Sequence, residues 1–209
     1  MPNAQHTPVV PLEAGAGPEN PPCPACGEPL FGWLSPQPAW RGPVSRCESC
    51  GLGVVDAPGG PEDALRELDR LGREGSPRIA NRASYAAALG SAGWAGLEPG
   101  SRYFFTVESV RRLVACRDQV VKSSRWAPAA GLAATWQTLL NSVTFGHNVA
   151  LAALGSGEAA PARRRWQRRI DALASVVLAI PALLIAIPVE LAGGLTGRGA
   201  VVSLRFELL

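Results

Sequence analysis

The sequence predicts an α+β chain: a small four-cysteine ribbon near the N-terminal end, then a mainly helical region with a few strands and an apolar helix or hairpin. Three observations predict it. Two Cys-x-x-Cys pairs, "CPAC" and "CESC", stand close together within residues 23–50. After residue 100, segments of helical period alternate with two short β-like runs. A stretch of 18 uncharged, mostly apolar residues, "ALASVVLAIPALLIAIPV" (172–189), follows an arginine cluster.

Residues 1–22 hold six prolines and no periodicity, which reads as a disordered tail. They lack the basic and apolar regions of a secretory signal, so the thiols are expected to be cytoplasmic and to bind metal rather than form disulfides. Gly (23) and Pro (19) make up about a fifth of the 209 residues. All the basic residues except Lys122 are arginine, a bias that points to a GC-rich bacterial source. A net charge of +3 is too small to imply a nucleic-acid partner.

Residues 23–56 form the ribbon. Cys23-x2-Cys26-x20-Cys47-x2-Cys50 is the spacing of a four-cysteine zinc site. Two residues between ligands let both thiolates of a pair approach one ion, and Gly27 and Gly51 permit the turn after each pair. Four sulfurs leave no position for water, so the expected zinc is structural. Glu28, Arg41, Arg46 and Glu48 cancel within the ribbon, so nucleic-acid binding is not expected of it.

Residues 57–100 read as a short helix and a linker. Pro61 suits a first helical position, Ala64, Leu65, Leu68 and Leu71 share a face, and Gly75 ends the helix. The Ala- and Gly-rich residues 76–100 read as a connector. Thr106 is placed to cap a helix with Glu108 in its first turn and Val110, Leu113 and Val114 facing inward, while Cys116 reads as a mid-helix packing residue. "QVVKSSRW" (119–126) and the terminal "GAVVSLRFELL" read as strands. Residues 132–154 have a helical period, with Trp136, Leu140, Val143 and His147 on one stripe. Gln137, Asn141, Thr144 and Asn148 form a second stripe, expected to face solvent.

Eighteen helical residues span about 27 Å, close to the thickness of a hydrocarbon core. Asp171 and Glu190 bracket the segment. Arg163, Arg164, Arg165, Arg168 and Arg169 precede it, suited to the cytoplasmic side or to anionic headgroups, with Trp166 as an interfacial anchor. Pro181 and Pro188 favour a break, and with it a hairpin dipping into one leaflet over a straight span.

"CPACG" and "RCESCGLG" near the N-terminus resemble the zinc ribbon that heads many bacterial class I S-adenosylmethionine-dependent methyltransferases. "YFFTVESVRRLV" with "QVVKSSRW" resembles the late helix and strand of that fold, and 101–209 as a whole resembles the C-terminal region of membrane-proximal members. The resemblance covers 23–56 and 101–209. It does not extend to the family's cofactor-binding centre, an acidic-x-Gly-x-Gly-x-Gly turn between a strand and a helix. The nearest match, Glu13, Gly15 and Gly17 in "PLEAGAGPEN", is flanked by Pro11 and Pro18 and precedes the ribbon. S-adenosylmethionine binding is therefore not expected, and neither is catalysis. His6 lies in the tail, and His147 reads as a core or interface histidine. The expectation is a non-catalytic zinc-ribbon adaptor or accessory protein at the cytoplasmic face of a bacterial plasma membrane, with a protein partner in an envelope or lipid-linked pathway. A methyltransferase completed by a second chain is the alternative, and a nucleic-acid-binding ribbon ranks last.

Overall fold

The computed structural model describes residues 20–35, 42–56, 58–72, 76–155, 159–160, 162 and 164–208. The tail up to residue 19, with His6 and the partial glycine motif, lies outside the described residues, as do Arg41, Gly75 and Arg163. The described residues form a mixed α+β fold with six α-helices and two antiparallel sheets.

The ribbon supplies three strands, β1 (Leu30–Leu34), β2 (Val44–Cys47) and β3 (Gly53–Val55). Helix α1 (Pro61–Leu71) follows, opened by Pro61 and capped at Gly72. Its Ala64, Leu65 and Leu68 are buried, whereas Leu71 is exposed. Residues 76–100, expected to be a connector, instead carry structure. They form strand β4 (Arg78–Ala80), helix α2 (Tyr85–Gly90) and a 3-10 turn at Ser91–Gly93. Trp94 and Leu97 beyond that turn are fully buried. The small residues that make this stretch look like a linker are what lets it pack closely. A Cβ at Gly96 would collide with the Trp94 ring, and one at Gly90 with the Thr138 methyl.

Strand β5 (Tyr103–Phe104) pairs with β3, giving the sheet order β1-β2-β3-β5. Helix α3 (Val107–Ala115) begins at Thr106 as the sequence predicts. The Thr106 hydroxyl accepts from Ser109 N–H at 3.0 Å, and Ser109 Oγ accepts from Thr106 N–H at 2.9 Å, a reciprocal cap. Cys116 sits just past this helix and is exposed, so it is not the packing residue expected. Strand β6 (Gln119–Trp126) and the last strand, β7 (Val201–Leu208), pair along their whole length, with β4 on the other side of β7.

One core joins these parts. Cys23, Cys47, Cys50 and Leu52 of the ribbon pack with Leu65 and Leu68 of α1, Val110 and Leu113 of α3, and Val202 and Leu204 of β7. A second cluster gathers Val44, Val55, Trp94, Leu97 and Phe104.

The predicted helix over 132–154 is two helices, α4 (Pro128–Asn141) and α5 (Val149–Ala153). Asn148 between them adopts a left-handed conformation at φ 55°. Gln137, Asn141 and Asn148 of the polar stripe face inward rather than to solvent, and Thr144 is half-buried. Gln137 Nε2 donates to Asn141 Oδ1 at 2.7 Å, and Asn141 Nδ2 donates to Gly93 O and to Asn148 Oδ1. Asn148 Nδ2 donates to Ala95 O, and Gln137 Oε1 accepts from Leu151 N–H. These amides act as backbone partners for a loop that has no ladder of its own.

Candidate metal centre and apolar helix

The four ribbon cysteines converge. Cys23 and Cys50 sulfurs lie 3.6 Å apart, Cys26 and Cys47 sulfurs 3.4 Å apart, and all four fall within 4.8 Å of one another. A tetrahedral ion with sulfur ligands at about 2.3 Å requires edges of roughly 3.8 Å, so the arrangement fits one metal ion with only small adjustments. Each pair sits on a tight knuckle. Gly27 N–H donates to Cys23 O at 2.8 Å and Gly51 N–H to Cys47 O at 3.0 Å, and both glycines have φ of +77°. At Gly51 the choice is doubly fixed, because a Cβ would lie 2.8 Å from the Thr106 methyl.

Without a cation two of the thiols, Cys26 and Cys50, resist ionisation. The Cys50 thiol is pushed up by its contact with Cys23 and by burial, and the Cys26 thiol is raised chiefly by burial. A divalent ion reverses that preference, because it stabilises the thiolates it binds. Two groups outside the ribbon brace the centre. Thr106 Oγ donates to Cys50 O at 2.6 Å, so the cap of α3 also holds the second knuckle. Arg82 donates to Gly51 O at 3.1 Å, and its guanidinium stacks 4.3 Å from the centre of the Trp33 ring. Burial lowers the Arg82 pKa, the nearby charge of Arg46 adds to this, and the Cys50 and Cys47 sulfurs oppose it. Sequence reading missed Arg82, because it lies in the stretch read as a connector and carries no local motif.

The apolar segment forms the middle of one continuous helix, α6 (Arg165–Leu195), and not a hairpin. Both prolines are accommodated inside it, with their rings on the exposed side. It is long and apolar enough to cross a membrane by length and composition. It is not a buried core helix, since only 11% of its apolar window is buried. The seam it presents to the body consists mainly of small or polar residues: Asp171, Ala182, Ala186, Glu190 and Gly193. Leu173, Val176, Ile180, Leu184, Ile187 and Leu191 point outward and are exposed. The amphipathicity of an ordinary surface helix is thus inverted.

Two carboxylates fix the seam. Asp171 accepts from the N–H groups of Phe145 and Gly146 at 2.8 and 2.9 Å. Glu190 accepts from Trp126 Nε1 at 2.6 Å, Thr135 Oγ at 2.8 Å and Ala200 N–H at 3.0 Å. Between them, Trp136 Nε1 donates to Ala179 O. The sequence showed the two acids as flanks of a membrane segment, whereas the structure turns both inward.

Arg164, Arg165, Arg168 and Arg169 are exposed around the first turns of α6. Trp166 is exposed among them and meets Phe145 edge-on at 5.5 Å. His147 lies apart from both features, buried beside Asn141 near α4. Burial lowers its pKa to about 4, so it is neutral at physiological pH. Comparisons with protein-family models, with curated proteins and with solved structures return no match for this chain.

Proposed function

We propose that the chain is a non-catalytic membrane-associated protein in which a structural zinc ion rigidifies the ribbon core and α6 lies in the plane of one leaflet. The observation that carries this reading is the arrangement of α6, with an uncharged outward face of large apolar side chains and a polar seam tied to the body at both ends. A membrane-crossing helix must leave its two ends on opposite sides of the bilayer. Here Asp171 and Glu190 hold both ends to parts of the same body. An in-plane helix satisfies both constraints, with the apolar face in the acyl boundary and the body in water.

Three further features support that placement. Pro181 and Pro188 deprive the carbonyls of Val177 and Leu184 of their helical donors, which headgroup water can replace and hydrocarbon cannot. Four arginines crowd a helix N-terminus, where the helix dipole disfavours cations, and anionic headgroups relieve that field. Trp166 and Phe145 stand where the charged cluster meets the apolar face, the position of an interfacial aromatic anchor. The arginines support a location on the cytoplasmic leaflet of a bacterial plasma membrane, and an adaptor or accessory role there is part of the same proposal.

Flotation of the full chain with phosphatidylcholine vesicles, with and without phosphatidylglycerol, tests the reading. The wild type is expected to float with both and more fully with the anionic vesicles. Leu184→Glu, which touches only the outward face, is expected to stay in solution while keeping its metal. A wild type that remains soluble beside vesicles, or a stable dimer abolished by Leu184→Glu, would mean that the face meets protein instead of lipid.

A further inference from the structure

The β4-β7-β6 sheet has a second face that the membrane reading does not use. Val202, Leu204 and Phe206 of β7 pack into the core, so Ser203 and Arg205 point the other way. Arg78 of β4 and Arg125 of β6 are both in register with Ser203, and Ser123 of β6 is in register with Arg205. Two neighbouring rows therefore alternate arginine with serine, the first reading Arg78, Ser203, Arg125 and the second placing Arg205 beside Ser123. Ser76, two residues before Arg78, borders the same surface.

These residues line a cavity of about 660 Å³, walled by Leu71, Trp126 and Ala127. That is within the size range of small-molecule sites. Among the described residues, no acidic side chain lines it. Several other basic side chains pair with carboxylates, as in Arg70–Glu67, Arg112–Glu108, Arg117–Asp69 and Lys122–Glu207. Among the described residues, Arg78, Arg125 and Arg205 make no ion pair and no side-chain hydrogen bond. Three guanidinium groups facing one cavity, with no carboxylate beside them among the described residues, repel one another, an arrangement that favours a multiply charged anion.

From these contacts we infer that this cavity binds the phosphate or diphosphate group of a ligand. Adjacent strands lie about 4.8 Å apart, so the Arg78 and Arg125 backbones stand roughly 10 Å apart across β7. Arginine side chains reach across half that gap, and their planar forks match phosphate oxygens two at a time. The serine hydroxyls supply further donors between them. One carboxylate would leave most of this charge unpaired, whereas a phosphate monoester or diphosphate spreads two or more charges over several oxygens. The Trp126 wall also ties the cavity to α6, because its indole N–H donates to Glu190. A soluble molecule and a lipid headgroup both carry such a group, and the inference does not depend on the proposed placement of α6.

The test is titration of the full, metal-loaded chain with inorganic pyrophosphate, and in parallel with vesicles containing phosphatidic acid against vesicles of equal charge made with phosphatidylserine. Saturable pyrophosphate binding, or selection of phosphatidic acid over phosphatidylserine, is expected of the wild type. The first result assigns a soluble phosphate ligand and the second a lipid headgroup. Arg78→Gln, Arg125→Gln and Arg205→Gln should each weaken binding roughly tenfold. Arg165→Gln, on the other cluster, should leave pyrophosphate binding unchanged. All three cavity arginines are exposed, so the variants are expected to fold, and retained metal content checks this. Failure of both probes to bind, or binding indifferent to the three substitutions, overturns the assignment.

Discussion

Asp171 and Glu190, 1% and 3% exposed, bind opposite ends of α6 to one protein body. They stand about 28 Å apart along the helix axis at 1.5 Å per residue. Every residue facing outward between them is uncharged. An acidic pair that flanks an apolar segment in the sequence is thereby turned into a pair of internal fasteners, and the apolar surface is left exposed.

Glu190 satisfies three donors, so removing it leaves all three unpaired, two of them fully buried. Glu190→Ala is expected to cost about 2–4 kcal/mol of stability, read by urea denaturation. Gly131→Ala should act at the same place from the other side, because its Cβ would collide with the Glu190 carboxylate, at a cost of about 1–3 kcal/mol. Neither change alters the outward face. A stability equal to wild type for both would remove Glu190 as a fastener.

Thr106 has two roles, capping α3 and holding Cys50 O. Thr106→Val is expected to lose about 1–2 kcal/mol from the cap and to release metal at lower chelator concentration than wild type. Purified protein should carry one zinc ion per chain. Chelation should loosen α1 and α3 along with the ribbon, since they share its core. Circular dichroism unchanged after complete metal removal would show that the clip is dispensable.

Burial holds the His147 imidazole at about 4, below its ordinary 6.5. Between those values the unfolded chain binds more protons than the folded one. Stability from this group is therefore complete above the upper value and is lost as pH falls towards the lower. The loss across that window is at most about 3 kcal/mol. His147→Gln should flatten this slope without changing the metal-dependent transition. Parallel pH profiles for the two proteins would contradict it.

If α6 lies in one leaflet, the arginines at its start strengthen binding to charged membranes and not to neutral ones. Replacing Arg165, Arg168 and Arg169 with glutamine should weaken binding to anionic vesicles by about 1 kcal/mol for each residue near the surface. Binding to neutral vesicles should scarcely change. Equal losses on both vesicle types would assign these residues to folding.

The features legible in the sequence are those written in local chemistry. The ribbon follows from two Cys-x-x-Cys pairs, the α3 start from Thr106, and the last strand from alternation. The rest depended on partners distant in the chain. The rings of Pro181 and Pro188 point away from α4, so they do not break the helix, and nothing local announces which side the body occupies. The Gln137–Asn141–Asn148 stripe looks solvent-facing until residues 93–95 supply carbonyls for it to bind. Residues 76–100 look like a linker because small side chains allow both flexibility and close packing. The arginine–serine face is invisible along the chain, because its members come from three strands and meet only through register.

Depth measurement along α6 tests the in-plane placement most directly. Spin labels at Leu173, Val176, Ile180, Leu184 and Leu191, one at a time in a Cys116→Ser background with metal-bound ribbon cysteines, can be read by power saturation in vesicles. The in-plane helix predicts one shallow depth at all five positions. A depth that is greatest near Ile180 and falls towards water at both ends would show a helix crossing the bilayer, and labels in water at every position would remove lipid from the account.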